Sequence, residues 1–63
     1  MEHLTFAEIR SLFTELFADE AREIESDISS LDGDRDQLFV GSMEVWYPKQ
    51  VQVMIEIVEN PSE

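Results

Sequence analysis

The sequence predicts an α+β fold, with one long amphipathic N-terminal helix packed on a C-terminal antiparallel β-hairpin in the order α–β–β. Three observations carry that expectation. Apolar residues recur at three- and four-residue steps from Ile9 to Ile24, the period of a helix with one buried stripe. A polar stretch rich in Asp, with one Gly, follows. Beyond it apolar and polar residues alternate, as half-buried strands require.

The helix has a defined start. Thr5-Phe6-Ala7-Glu8 reads as a capping box, the Thr5 hydroxyl accepting from the Glu8 N–H while the Glu8 carboxylate accepts from the Thr5 N–H. Leu4 and Ile9 fall at the positions of a hydrophobic staple. Ile9, Leu12, Phe13, Leu16, Phe17, Ala21 and Ile24 then form the stripe, and no Gly or Pro interrupts the chain before Gly33. The expected helix covers about residues 5–26. Past it, Ser26, Asp27, Ser29 and Ser30 favour caps and turns, and Glu23, Glu25 and Asp27 crowd the negative end of the helix dipole. Ile28 and Leu31 leave room for a short second helical piece, with Gly33 placed where a left-handed cap would stand.

Residues 27–37 are expected to form a polar turn, and residues 38–59 the hairpin. Phe39, Met43, Val45 and Tyr47 share one parity, and Val51, Val53, Ile55 and Ile57 share the same one. Pro48 suits a turn between the strands, Gly41 a bulge or bend, and Asn60-Pro61 closes the run. Pairing Tyr47 with Val51, Val45 with Val53 and Met43 with Ile55 would keep both apolar faces inward.

A chain of 63 residues makes a single domain, 1–63, whose core rarely supplies more than roughly 3–5 kcal/mol. There is no cysteine to add a disulfide or a thiolate zinc site, and only one histidine. A lone hairpin is marginal and its edges are unpaired. Leu38, Val40, Trp46, Met54 and Val58 would also face away from the helix. A homodimer is the expected remedy. No apolar run exceeds three residues, far short of a bilayer span, and Met1-Glu2-His3 lacks a leader's basic and apolar regions. A cytoplasmic location is expected, which for a phage-encoded chain means the host cytoplasm.

Charge is the strongest constraint on function. Fifteen acids against four bases leave a net −11, so nucleic acid and anionic membranes are repelled and a basic protein surface is attracted. Nine acids and two bases between Glu15 and Asp36 place −7 of that total in one stretch. Glu8, Glu15, Asp19 and Glu23, at steps of seven, four and four, are expected to form a column on the solvent side of the helix. A four-residue step is about 6 Å along the axis, comparable to the spacing of charges along a nucleic-acid strand. A stiff carboxylate row can therefore occupy a protein's nucleic-acid channel. The plainer role of such a face is solubility or adaptation to high salt.

Other constellations carry less. Asp32, Asp34 and Asp36 match the first three ligand positions of a calcium-binding loop, but Gln37 stands where Gly is needed and Met43 where a bidentate Glu should close the site. Ser42 lacks the flanking glycines of a nucleophile elbow, and exposed acids on a helix lack the environments that separate two carboxyl pKa values. Neither an enzyme nor a cofactor or metal site is expected. Trp46 beside Tyr47 suits core packing or an aromatic anchor at an interface.

The functional expectation is a non-enzymatic acidic module that binds a basic surface of a nucleic-acid-binding protein by imitating nucleic acid. Its contact residues would be Glu8, Glu15, Asp19, Glu20, Glu23, Asp27, Asp32, Asp34, Asp36 and Trp46. In size and charge alone the chain is similar to small phage inhibitors of restriction and CRISPR systems. The competing expectation is a structural or regulatory subunit that works through a sheet edge or the Trp46 face, with the charge serving solubility.

Overall fold

The computed structural model describes residues 3–60. It is all helix: α1 Phe6–Leu16, α2 Ala18–Ile28, α3 Arg35–Trp46 and α4 Pro48–Glu59. No strand occurs among the described residues. The α+β fold and the hairpin over 38–59 are therefore corrected to a four-helix arrangement. Met1, Glu2 and Pro61, read above as the start of the chain and the close of a strand, lie outside the described residues.

The capping box at Thr5 is formed, with the Glu8 N–H 3.1 Å from the Thr5 hydroxyl and the Thr5 N–H 2.9 Å from the Glu8 carboxylate. The helix it opens stops at Leu16 rather than continuing to residue 26. Phe17, at φ −134° and ψ 68°, is a one-residue elbow. Its N–H donates to the Phe13 carbonyl at 2.7 Å and its own carbonyl accepts from Ala21 at 2.9 Å, so it closes α1 and opens α2. Asp19 and Glu20 in the first turn of α2 suit the positive end of the new dipole. A straight rod over residues 5–26 would spread its apolar stripe along roughly 30 Å. Turning back at Phe17 instead gathers Ile9, Phe13, Ala21 and Ile24 into one core.

The second half repeats the device. Tyr47, at φ −132° and ψ 55°, closes α3 by donating to Met43 and opens α4 by accepting from Val51. Buried Ile9, Phe13 and Ile24 correspond to buried Phe39, Met43 and Met54, and Phe17 to Tyr47, each pair thirty positions apart. Pro48 is not the corner of a hairpin turn. It stands at the first position of α4, where its missing N–H is no loss.

Alternation and the helical period coincide in this half of the chain. Steps of four preserve parity, so Phe39, Met43 and Tyr47 fit a strand face and a helix stripe equally. Val45 fits only the alternating pattern, and it is exposed. In α4, Val51, Met54, Ile55 and Val58 are the more buried apolar residues, at the steps of a helix, while the alternating Val53 and Ile57 are exposed. β-Branched residues lower helix propensity by only a few tenths of a kcal/mol each, and packing on α1 and α3 overrides that.

The loop between α2 and α3 is shorter than the expected polar turn over 27–37. α2 runs on to Ile28, and α3 begins at Arg35 with Asp34 as its cap, the Asp34 carboxylate accepting from the N–H groups of Asp36 and Gln37 at 2.9 and 3.1 Å. Arg35 turns back to donate to the carbonyls of Ile28, which also accepts from the Leu31 N–H, and of Leu31, tying the loop to the end of α2. Gly33 adopts φ 133° within this loop, not as the residue that terminates α2.

Phe13 is the centre of the core. It is fully buried, with the rings of Phe17, Phe39 and Tyr47 at 5.3, 5.9 and 6.2 Å, the Phe39 ring nearly perpendicular. α3 lies against both α1 and α2, and α4 rests on α1 and α3 without reaching α2. The sheet edge invoked for an oligomer does not exist among the described residues.

Candidate protein-binding face

The elbow at Phe17 divides the acids differently from a continuous rod. Glu8 and Glu15 belong to α1, while Asp19 and Glu23 belong to α2, so the four-residue column is severed. α2 keeps a shorter row. Ala21, Ile24 and Ile28 point into the core, and Asp19, Glu23 and Asp27, four residues apart and all exposed, form a row that winds from the outer side of α2 onto one flank. Two steps of that row span about 12 Å.

The two flanks of α2 have different fates. On the α1 side Glu25 pairs with Arg10 at 3.0 Å, and Arg10 reaches Asp36 of α3 at the same distance. The Arg10 guanidinium also lies 5.2 Å from the centre of the Phe39 ring. Accepting its hydrogen bonds, Glu25 and then Asp36 raise the Arg10 pKa above its ordinary value. On the other flank Glu20, Glu23 and Asp27 face Tyr47. Its hydroxyl donates to Glu23 at 3.0 Å. Desolvation against the core, the Glu23 hydrogen bond, and the charges of Glu23, Asp27 and Glu20 all push the phenol pKa up from 10.0. Among the described residues no base forms an ion pair with Glu20, Glu23 or Asp27.

The remaining expected contact residues disperse. Glu8 is engaged in the capping box, Asp34 caps α3, and Asp36 is held by Arg10. Asp19 is almost fully exposed, 3.6 Å from an equally solvated Arg22. Glu15 lies on the exposed side of α1 and Asp32 in the loop. Among the described residues no three His or acidic side chains are arranged to hold a metal ion.

Trp46 is 69% exposed. It ends a groove of about 750 Å³ between the last turn of α2 and the outer side of α3, whose lining includes Asp27, Ile28, Leu31, Leu38, Gly41 and Val45. A side chain at Gly41 would meet nothing within 4 Å, so the groove is open there. Asp27 belongs both to this groove and to the acidic row. Nothing in the sequence announced the groove, because it is made where residues from two separate helices meet. A helical assignment for α3 would have placed Leu38, Gly41 and Val45 on one side. Arg10 carries no such signal in the sequence either, since only the fold brings Glu25 and Asp36 to it.

Among the described residues no helix is long and apolar enough to cross a membrane. No protein-family model, curated protein or solved structure matches the chain.

Proposed function

We propose that this protein is a non-enzymatic binding module that offers the acidic side of α2 to a basic surface of another protein, competing there with nucleic acid. The observation that supports the reading is the row Asp19, Glu23 and Asp27 with Glu20 beside it, on a helix anchored by Ala21, Ile24 and Ile28. Packing fixes where the charges stand. Such a row attracts a cationic surface over about a Debye length of 8–10 Å at ordinary salt and steers its approach.

The test is binding to a basic partner recovered from the host cell, measured against salt and against competing DNA. Affinity falls steeply with salt, DNA displaces the protein, and Glu20→Lys with Glu23→Lys removes binding. Affinity indifferent to both salt and these reversals would sink the reading.

The exposed Val45, Trp46, Val53 and Ile57 favour a second reading, a subunit that assembles through an apolar face. Under it salt matters little and the damaging substitutions fall on α3 and α4.

A further inference from the structure

We infer that the groove between α2 and α3 receives the apolar side of a cationic amphipathic helix, with the carboxylates of α2 holding that helix's lysines or arginines. The inference rests on the proposed acidic binding function and names its partner's chemistry. Three features of the groove select this occupant.

The first is shape. The groove follows α3 from Gln37 to Trp46, nine helical steps or roughly 14 Å, which accommodates apolar side chains at positions i, i+4 and i+7 of a partner helix. Gly41 leaves the middle of the groove unfilled, so a partner side chain can approach the α3 backbone closely there. The described residues contain no strand, so an extended peptide finds no edge to join.

The second is chemistry. Ile28, Leu38, Val45 and Trp46 form an apolar lining, with Asp27 at its margin and Glu20 and Glu23 on the same flank of α2. Arg35, the base next to this region, is occupied with the carbonyls of Ile28 and Leu31. An uncharged apolar helix would leave the carboxylates unanswered; a cationic one meets both parts.

The third is self-repulsion. A second copy of this chain would bring another net charge of −11 and a second row of α2 acids to the same margin, so charge disfavours it as occupant.

Two synthetic probes separate the groove from the charge. One is a peptide of leucine and lysine set at helical period; the other is an oligolysine of equal charge. Trp46 is the single tryptophan, and its emission reports the groove directly. The leucine–lysine peptide binds with a blue shift of Trp46 emission, and Gly41→Leu weakens it roughly tenfold or more. That substitution changes no charge and replaces glycine by a better helix former, so the variant folds, as circular dichroism checks. Gly41→Ala, which adds only a methyl group, retains binding. Oligolysine binds more weakly without the shift, and Gly41→Leu leaves it unaffected.

If Gly41→Leu binds the leucine–lysine peptide as the parent does, or Trp46 emission stays unshifted, the groove assignment is overturned. The acidic reading then survives provided that Glu20→Lys with Glu23→Lys still abolishes binding of both peptides. If neither peptide binds, both ideas fall together. Sedimentation of the protein alone supplies the other alternative: a concentration-dependent dimer with blue-shifted Trp46, reversed by Gly41→Leu, would give the groove to a second copy and overturn the proposal.

Discussion

The Arg10 guanidinium lies 3.0 Å from the Asp36 carboxylate, joining the middle of α1 to the first turn of α3 across twenty-six positions of sequence. Its other terminal nitrogen holds Glu25 of α2, so one side chain ties three helices together. Arg10→Ala removes two charge-assisted hydrogen bonds and the contact with Phe39. Exposed ion pairs contribute little and hydrogen bonds to charged groups more, so a loss of about 1–2 kcal/mol is expected for this half-covered site. In a domain of this size thermal unfolding should fall by roughly 4–16 °C. Arg10→Lys, which keeps the charge without the two-pronged geometry, should fall in between. A melting temperature unchanged in Arg10→Ala would show that the contact contributes nothing.

Tyr47 gives a pH prediction with a definite sign. Its phenol is neutral when protonated, and its pKa in the folded state is raised above the 10.0 of the free side chain by desolvation and by Glu23, Asp27 and Glu20. The associated stability is present in full below pH 10.0 and is lost as pH rises through the folded-state value. Because Tyr47 is the only tyrosine, ultraviolet titration of the phenolate reads it directly. The midpoint should lie above 10.0 and move down in Glu23→Ala. Tyr47→Phe should flatten the decline of stability at alkaline pH.

Gly41 separates the two secondary structures that its surroundings allow. In the interior of α3, with open space at its Cβ position, Gly41→Ala should stabilise the protein by about 0.5–1 kcal/mol through helix propensity. At a strand bulge the same change would destabilise it. Chemical denaturation distinguishes the two by the direction in which the midpoint moves.

Phe13→Ala should be the severest single truncation. The ring is fully buried and meets three other aromatic rings. Losing it costs about 3–5 kcal/mol, as much as the whole of what a core this small rarely exceeds. The variant should lack a cooperative thermal transition and a near-ultraviolet circular dichroism signal. A well-folded Phe13→Ala protein would mean that the core lies elsewhere.

What the sequence disclosed was mostly local. The Thr5 cap was readable because all its partners lie within three residues. Of the stripe from Ile9 to Ile24, Ile9, Phe13, Ala21 and Ile24 are buried, Leu12 and Phe17 partly so, while Leu16 beside the elbow is exposed. The break at Phe17 was hidden because neither Gly nor Pro marks it. Only Asp19 and Glu20, acids suited to a helix start, hinted that a second dipole begins there. In α3 apolar side chains surround the axis, Val45 and Trp46 pointing outward while Phe39, Val40 and Met43 point in, so no stripe stood out against alternation. In the candidate site the acids of α2 were legible as charge. Their division between Arg10 on one flank and Tyr47 on the other depends on neighbours far along the chain, and so does the groove.

The elbows leave no slack in the chain. Both Phe17 and Tyr47 serve as the last cap of one helix and the first of the next, so a residue inserted beside either cannot be absorbed as loop. One extra residue carried into α2 would rotate it by about 100°, turning Ile24 toward solvent and the acidic row toward the hydrophobic interior. The six-residue link from Ser29 to Asp34 has room for lengthening that the single-residue joints do not.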